Sequence, residues 1–445
     1  MKSGLVTLTF LVAASFSSVA SGQPAPATAS GTISLTLRQA VQRALESNLS
    51  TARARADIEV AESSRRLLRS SVLPQIDLGG NLTRNSKEVQ FGSDQDTTTL
   101  LPLNDWQYRV TLSQPIYAGA RELKTLRQSS IQIENTRELL RFTEDSVLLG
   151  VTSDYLGVVT GDALIDVEKK NIYLADRRLK QARDFYQAGE VTRVDVLRAE
   201  ADVKGAQRRL AAATQLRESA AGRMRIGLAL DGTVVTEDPS LTLPAMGEEA
   251  DLLQLAEVRS PQVVQAQNNL RIANLEVSKQ RAAYLPVLTA DAAYVTQKTD
   301  FPTNEYGQVS LRFSVPIFHS GEFGARIASA RSRQSQAELA VQEARQSVRE
   351  NVRQALLDLR TADTSLSLAR EQLAASEAEY EQTFELYRAQ EATALDTESA
   401  ESSLAEARRA VVQSTLDRWL AELRVWFATG ELKKALVTEV VSNES

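Results

Sequence analysis

The sequence predicts a mainly α-helical chain with a smaller β part, built by tandem duplication, and two patterns lead to this prediction. In the first pattern, a stripe of mostly apolar residues with seven-residue spacing recurs 201 residues later, including one four-residue step at the same place. In the second pattern, apolar and polar residues alternate in two segments of each half. The first stripe is Leu126, Ile133, Leu140, Val147, Val151, Val158, Ile165, Ile172, Leu179 and Tyr186, and the second is Ile327, Gln334, Val341, Val348, Val352, Leu359, Leu366, Leu373, Tyr380 and Tyr387.

The two stripes predict two very long helices. Because seven residues make two helical turns, each stripe stays on one side of a single helix, and the extra four-residue step brings the average period near 3.6. We expect these helices at about 120–188 and 322–389. Gly189 suits a left-handed helix terminus, after which the chain returns as a second helix. The return helices are expected at about 192–227 and 393–430.

The alternating segments predict β-strands with one apolar face, because successive side chains of a strand point to opposite sides. We expect strands at about 75–91 and 106–117 in the first half, and at about 287–300 and 305–318 in the second. The residues expected to face lipid are Tyr108, Val110, Leu112, Val309, Leu311 and Phe313.

Four strands cannot close a barrel, and an open sheet edge is not tolerated in lipid. The strands of one chain must therefore pair with strands of other copies. Two copies would supply eight strands, but barrels of that size are filled by side chains, whereas three copies could leave an open lumen. Strand pairing alone requires a ring and does not choose the number of copies.

These elements divide the chain into six segments. A lone Lys2, an apolar run and then Ser18-Val19-Ala20 are typical of a secretory signal peptide. In chain order we expect a signal peptide at 1–20, a flexible N-terminal segment at 21–34, a first structural repeat at 35–232, a linker at 233–250, a second structural repeat at 251–432 and a C-terminal tail at 433–445.

Composition argues against several classes of function. The chain has no cysteine, so it has neither disulfides nor thiolate metal ligands, and its net charge of −6 argues against a nucleic-acid partner. His319 is the only histidine, which makes a metal site improbable on residue type alone. Because phosphate loops, Gly-x-Ser-x-Gly motifs and nucleophile–histidine pairs are missing, we expect no catalytic residue and no cofactor. We also expect no apolar window long enough for a spanning helix after the signal peptide.

The order of several short motifs carries a family resemblance. Leu-Pro precedes each expected strand pair, at residues 73–74 and 285–286, and Pro-Ile follows it, at residues 115–116 and 316–317. The pattern Tyr-x-x-Gly-x-x-x-x-x-Asp-Val-Leu begins at Tyr186. Each motif alone is unspecific, but their duplicated order with long helices between them is specific. Over residues 35–432 the chain resembles the outer-membrane efflux protein family.

This resemblance implies a homotrimer located in the bacterial outer membrane and extending into the periplasm. Four strands from each copy would form a 12-stranded barrel in outer-membrane lipid, continued by a trimeric α-barrel tunnel of helical hairpins. The implied function is the exit duct of a tripartite efflux or type I secretion system. Its partners would be a periplasmic adaptor protein and an inner-membrane pump.

The resemblance also implies a gate at the hairpin tips. Its expected residues are Tyr186, Gly189, Asp195, Tyr387 and Asp396, of which Asp195 and Tyr387 would link neighbouring hairpins and Asp396 would join an acidic ring. The chain departs from the family pattern at three positions, where Gln390 replaces a glycine, Ala392 a linking arginine and Ser399 a second acidic residue.

Two less specific interpretations stay open at this point. Asp195 and Asp396 could be solvated residues at helix starts, where the helix dipole favours negative charge. The whole chain could be a secreted coiled-coil tether or adhesin stalk, which would explain the stripes but neither the four strands nor the return helices.

Overall fold

The computed structural model of the protein describes residues 32–93, 96–237, 243–299, 303–389 and 391–442. The expected signal peptide, most of the expected N-terminal segment and Gln390 lie outside these residues. In chain order the elements are β1 Thr32–Leu35, α1 Leu37–Ser47, α2 Leu49–Ser70, β2 Gln75–Arg84, β3 Val89–Ser93, β4 Asp96–Leu101, β5 Asn104–Ala118, α3 Arg121–Gln187, α4 Arg193–Leu228, β6 Thr233–Thr236, α5 Glu249–Arg259, α6 Pro261–Arg281, β7 Val287–Gln297, β8 Glu305–Ser314, α7 Glu322–Arg388, α8 Ala394–Thr429 and α9 Leu432–Ser442.

Two helical hairpins of equal size dominate the molecule. Helices α3 and α7 each have 67 residues, and the return helices α4 and α8 each have 36. At 1.5 Å per residue, a helix of this length spans roughly 100 Å. Because α3 follows strand β5 and α7 follows strand β8, the hairpin turns lie at the opposite end of the molecule from the strands.

The strands of both halves form one antiparallel sheet in the order β2-β5-β7-β8. Cross-strand partners lie on the same face, and the register aligns Leu78 with Val110, Val110 with Tyr294, and Ala290 with Leu311. All six residues expected to face lipid therefore share one face of the sheet. Their side chains are between 38% and 86% exposed in the protomer. Contact with lipid itself stays a prediction.

The expected strand at 75–91 is wrong in its length. Strand β2 ends at Arg84, and the short strands β3 and β4, at Val89–Ser93 and Asp96–Leu101, pair separately from it. The interruption lies opposite Pro102, which has no N–H group to donate to a ladder. Asn85 instead bonds to this segment, through its backbone N–H to Leu103 O at 2.8 Å and through its side chain to Pro102 O at 2.8 Å.

The strands of the second half are shorter than expected, since β7 ends at Gln297 and β8 ends at Ser314 rather than at residues 300 and 318. Pro316 follows β8 closely, as expected for a residue that ends ladder pairing. In the first half the observed strand agrees closely with the expected strand at 106–117 and runs past its proline. Strand β5 continues past Pro115 to Ala118, because a bulge between Pro115 and Tyr117 restores its pairing with β7.

The expected N-terminal segment and linker are not wholly irregular. Strand β1, at the end of the former, pairs in parallel with strand β6, at the start of the latter. The Tyr155 hydroxyl, on helix α3, lies 3.1 Å from Leu35 O and 2.7 Å from Glu237 O. The Tyr155 hydroxyl therefore attaches the end of each strand to the first long helix. The two paired strands lie about 200 residues apart in the chain.

The expected C-terminal tail contains helix α9. Its first turn is anchored by two buried acids of helix α3, because Asp145 Oδ1 accepts the Lys433 backbone N–H at 2.9 Å and Glu144 Oε2 accepts Lys433 Nζ at 2.7 Å. Leu432 and Leu436 are buried in the core. Burial raises the pKa of Asp145 to about 6, against the lowering effect of the hydrogen bond from Lys433.

The main apolar core surrounds the middle of helix α3. Its largest fully buried side chains include Leu148, Tyr155, Leu156, Met224 and Leu423. Helix α3 also contains one window that is long and apolar enough to span a membrane by length and composition, which contradicts our expectation for the sequence. The protomer buries 44% of that window. Core packing within the protomer thus accounts for part of this apolar window.

Candidate functional site

The two hairpin tips lie side by side and contact each other through aromatic rings. The rings of Phe185 and Tyr387 meet edge to face with their centroids 5.6 Å apart. Tyr387 is buried, with 4% of its surface exposed, whereas Tyr186, its counterpart in the first repeat, is 47% exposed. The two expected tip tyrosines therefore have different surroundings, and Tyr387 contacts a ring of the other hairpin.

Gly189 ends the first hairpin's long helix in the left-handed conformation, with φ of 78°. Its N–H donates to Tyr186 O at 3.1 Å, and the next N–H, that of Glu190, donates to Phe185 O at 2.9 Å. A Cβ atom at Gly189 would meet nothing within 4 Å. The backbone conformation, and not space, is therefore what favours glycine here.

Asp195 and Asp396 occupy the same position in their hairpins, at the start of the return helix. The Oδ2 atom of Asp195 accepts the Thr192 N–H at 3.0 Å and the Thr192 hydroxyl at 2.8 Å. The Oδ2 atom of Asp396 accepts the same two groups of Thr393 at 2.9 and 2.7 Å. Each pair is a capping box. These hydrogen bonds hold the pKa of both carboxyl groups below their usual range.

Asp195 and Tyr387, which were expected to form a link, line the same small cavity between the tips. Burial raises the pKa of Tyr387, and the negative charge of Asp195 raises it further. The hydrogen bonds that the Asp195 carboxylate accepts come from Thr192. The two residues thus line one cavity, and the charge of Asp195 acts on Tyr387. The expected latch between them stays a prediction.

A buried network of charges above the tips was missed in the sequence. Glu168, Asn171, Ala175, Arg178 and Ala182 are all buried on helix α3. Their spacing of three, four, three and four residues is that of a packed helix face. Glu168 and Arg178 lie on the same helix face as Ala175 and Ala182. Charged residues on a face that otherwise has small side chains could have indicated this network from the sequence.

The polar face of the sheet carries its own charges. Arg109 lies on this face of strand β5, and Asp291 lies on it in strand β7. Asp291 accepts a hydrogen bond from the Ser113 hydroxyl at 2.8 Å and forms an ion pair with Arg312 at 3.5 Å. One face of the sheet is therefore apolar, and the other carries both positively and negatively charged residues.

Among the residues that the structure describes, no group of three or more histidine or acidic side chains is placed to hold a metal ion. His319 Nδ1 lies 3.8 Å from Glu322 Oε2, and its ring packs on Phe323 with centroids 4.7 Å apart. These contacts give the histidine a structural role at the corner before helix α7.

Comparison with known proteins agrees with the duplicated architecture. The profile of a family described as outer membrane efflux protein matches residues 40–226 and 252–431, one stretch in each half of the duplication. Outer membrane efflux protein BepC of Brucella suis biovar 1 (strain 1330) is 24% identical over 410 residues, covering 91% of this chain and 87% of that protein. Outer membrane protein TolC of Escherichia coli (strain K12) is 21% identical over 422 residues, covering 89% and 83%.

A solved structure has the same fold. The crystal structure of the open state of the Neisseria gonorrhoeae MtrE outer membrane channel matches with a TM-score of 0.71 and 21% identity, over 90% of each chain. The fold of this chain is accordingly that of an outer-membrane channel with a helical tunnel.

Proposed function

Because the chain belongs to the outer membrane efflux protein family, which makes it an outer-membrane exit duct reaching into the periplasm, we propose that three copies close its strands into one barrel. Twelve strands, four from each copy, then form the part in lipid, and the helical hairpins form the tunnel. The hairpin tips form a gate that opens when a periplasmic adaptor and an inner-membrane pump engage it. The duct itself has no enzymatic activity.

The observation that carries this proposal is a four-stranded sheet whose two outer strands each have one unpaired edge. Within the part of the chain that the structure describes, strands β2 and β8 each pair on one side only, and one face of the sheet is apolar and exposed. An open edge leaves backbone N–H and C=O groups without partners, which is costly in lipid. Pairing β8 of one copy with β2 of the next removes both edges at once. A coiled-coil tether would need no such sheet.

The gate proposal rests on the geometry of the tips. Exposed apolar side chains at the start of the return helices, Val194, Leu197 and Leu395, lie next to the acidic residues Asp195 and Asp396. Such a mixed surface suits contact with a partner protein, since apolar contacts give affinity and charges give orientation. We therefore assign adaptor binding to the tips.

Arginine substitutions on the two faces of the sheet test the proposal. In Val110→Arg and Leu311→Arg a charge enters lipid, so we expect a loss of about 2 to 4 kcal/mol in the stability of the assembled barrel. The matched controls are Thr111→Arg and Ser310→Arg, neighbours on the polar face. The measurement is heat-modifiable migration of trimers extracted from outer membranes. Equal assembly of the Val110→Arg and Thr111→Arg proteins would show that the apolar face does not meet lipid.

A further inference from the structure

Two buried charges on helix α3 each bind one residue of their own hairpin and one residue of the other hairpin. Arg178 forms ion pairs with Asp202 of α4 and with Glu401 of α8, the latter at 3.6 Å. Ten residues earlier, Glu168 forms ion pairs with Arg209 of α4 at 3.4 Å and with Arg409 of α8 at 3.2 Å. The two sites thus repeat one arrangement with the signs reversed.

Both central side chains are shielded from water. The exposed fraction of the Arg178 side chain is 7%, and that of Glu168 is 3%. Most other ion pairs between α3 and α4 are more exposed, for example Arg183 with Glu200, whose side chains are 54% and 43% exposed. An exposed pair contributes little to stability, whereas a buried charge that loses its partner is strongly destabilising. The buried sites therefore constrain the position of α8 against the first hairpin.

A polar cavity of about 120 Å³ lies within this network. It is lined by residues of α3, α4 and α8, among them Arg178, Asp202 and Glu401. Two buried atoms there form no hydrogen bond: Asn171 Oδ1, and Arg178 Nε, which lies 3.6 Å from Glu401 Oε2 in the ion pair. The contact that joins Arg178 to α8 is therefore an ion pair slightly longer than a hydrogen bond, beside a polar cavity.

We propose that Arg178 holds the two hairpins of one protomer together above the tip, by bridging Asp202 of α4 and Glu401 of α8, and that removing its charge opens the tunnel. This inference rests on the proposed gate. Without Arg178, two carboxylates on different hairpins would face each other across the cavity with no positive charge between them, and their repulsion would drive α8 away from α4. Arg178 is accordingly a positioning residue, which acts on the gate through the helices.

The charge state of Glu401 gives the inference a pH dependence. Burial raises the pKa of Glu401, Arg178 lowers it and Asp202 raises it. If Glu401 is exposed to water when the hairpins separate, its pKa is higher in the closed state than in the open state. Protonation of Glu401 then stabilises the closed state. The closed state is therefore most stable below the usual pKa range of glutamate, and it weakens as the pH rises through the raised pKa. The charged and titratable groups around Glu401 are Arg178 on α3, Asp202 and Arg209 on α4, Tyr380 on α7, and Glu398 and Arg409 on α8.

The first test measures conductance of the purified full-length protein in planar bilayers. For Arg178→Gln at neutral pH we expect about a tenfold increase in the open fraction, because one partner of a buried pair is removed. Acidification should close this variant again, since the facing carboxylates become neutral. Arg178→Gln combined with Glu401→Gln should stay closed at neutral pH. The matched control is Arg183→Gln, which removes an exposed pair between the same helices and should leave the open fraction unchanged.

The second test does not depend on conduction. Because the natural chain has no cysteine, Ala175→Cys places a single thiol in the cavity wall, at a position that is 3% exposed. We expect Arg178→Gln to raise the rate of maleimide labelling at this thiol about tenfold at constant pH, in parallel with the open fraction. Arg183→Gln should have no effect on labelling.

The outcomes separate this inference from the proposed function. A wild-type protein that never conducts, but whose thiol labelling responds to Arg178→Gln, would contradict the exit duct and support the coupling. Unchanged labelling in Arg178→Gln, or failure of Glu401→Gln to reverse its effect, would overturn the coupling. Should Arg178→Gln not assemble, Glu401→Arg tests the same contact from the other hairpin, because it places like charges face to face. It should raise labelling to the same extent, and unchanged labelling would again overturn the coupling.

Discussion

The two hairpins have equal lengths but unequal surroundings. In the first hairpin, helix α3 passes through the main core, where Leu156 is fully buried. In the second hairpin, the equivalent Leu357 is 53% exposed. The core around Leu156 includes residues of β1, β6 and α9, which are not part of the hairpins. The duplicated sequence therefore forms equivalent helices in both halves, but the exposure of equivalent residues depends on which elements pack against them.

The tips differ in the same manner. The second hairpin supplies the buried Tyr387, and the first supplies Phe185 and Asp195 to the pocket around it. The counterpart tyrosine, Tyr186, stays exposed. Equivalent positions at the two tips thus have complementary roles, and substituting them in pairs gives each experiment an internal control.

The largest expected difference between the halves lies in the core. Leu156→Ala should lower the free energy of unfolding by about 2 to 5 kcal/mol, because it leaves a cavity in a packed region. Leu357→Ala, on the exposed counterpart, should change it by at most about 0.5 kcal/mol. Denaturant unfolding of the detergent-solubilised protein, followed by circular dichroism, measures both. Equal losses would mean that assembly buries Leu357 as deeply as Leu156.

A smaller difference is expected at the tip tyrosines. Tyr387→Ala removes a buried ring and its contact with Phe185, which should cost about 2 kcal/mol at the junction of the hairpins. Tyr186→Ala removes an exposed ring and should cost less. We expect larger pore openings in bilayers for Tyr387→Ala and wild-type openings for Tyr186→Ala. If Tyr186→Ala opened the pore equally, the tip asymmetry would have no functional meaning.

The helix terminus at Gly189 provides the third comparison. Gly189→Val should cost about 1 to 2 kcal/mol, because a β-branched residue is strained in the left-handed conformation. Gly189→Asn is the control, since asparagine adopts this conformation more readily. Export supported by the valine variant should fall while trimers still form, as measured by substrate efflux and heat-modifiable migration. Wild-type efflux in Gly189→Val cells would show that the turn tolerates another conformation.

The sequence is sufficient to predict the hairpins and the face of the sheet because both depend on local periodicity. Residues of one stripe such as Val151 and Val158 indicate a long helix without knowledge of its neighbours. Alternation around Val110 likewise indicates which side chains share a face. These features repeat in the second half, which adds independent support for the same elements.

The missed features depend on residues far apart in the chain. The pairing of β1 with β6 joins Thr32 to Thr233, and neither segment has an alternating pattern long enough to predict a strand. The first turn of helix α9 is anchored by Asp145, 288 residues before Lys433, whose backbone N–H it accepts. The role of Arg178 requires partners on two other helices. Such contacts are set by tertiary packing, and local propensity carries no information about them.

The smallest expected effect concerns Asp396 and is a change in ion selectivity, with no change expected in stability. In the proposed trimer, three copies of this exposed carboxylate form a ring at the tunnel entrance, where they enrich cations. Asp396→Asn keeps an oxygen that can accept the Thr393 hydrogen bonds but removes the charge. We expect it to reduce the cation preference measured as a reversal potential in a salt gradient. Asp195→Asn is the control, since Asp195 is partly buried and lines the cavity it shares with Tyr387, so its charge should matter less.

The pH dependence sharpens this last prediction. Hydrogen bonds from Thr393 hold the pKa of Asp396 below its usual range, so the charge is present above the ordinary aspartate pKa and disappears only as the pH falls through the lowered value. Wild-type cation preference should therefore persist into acid at which an ordinary aspartate is already neutral. Thr393→Val, which removes the hydroxyl donor, should shift the loss of preference to higher pH. An unchanged reversal potential in Asp396→Asn would remove the acidic ring and leave Asp396 as a residue that only caps its helix.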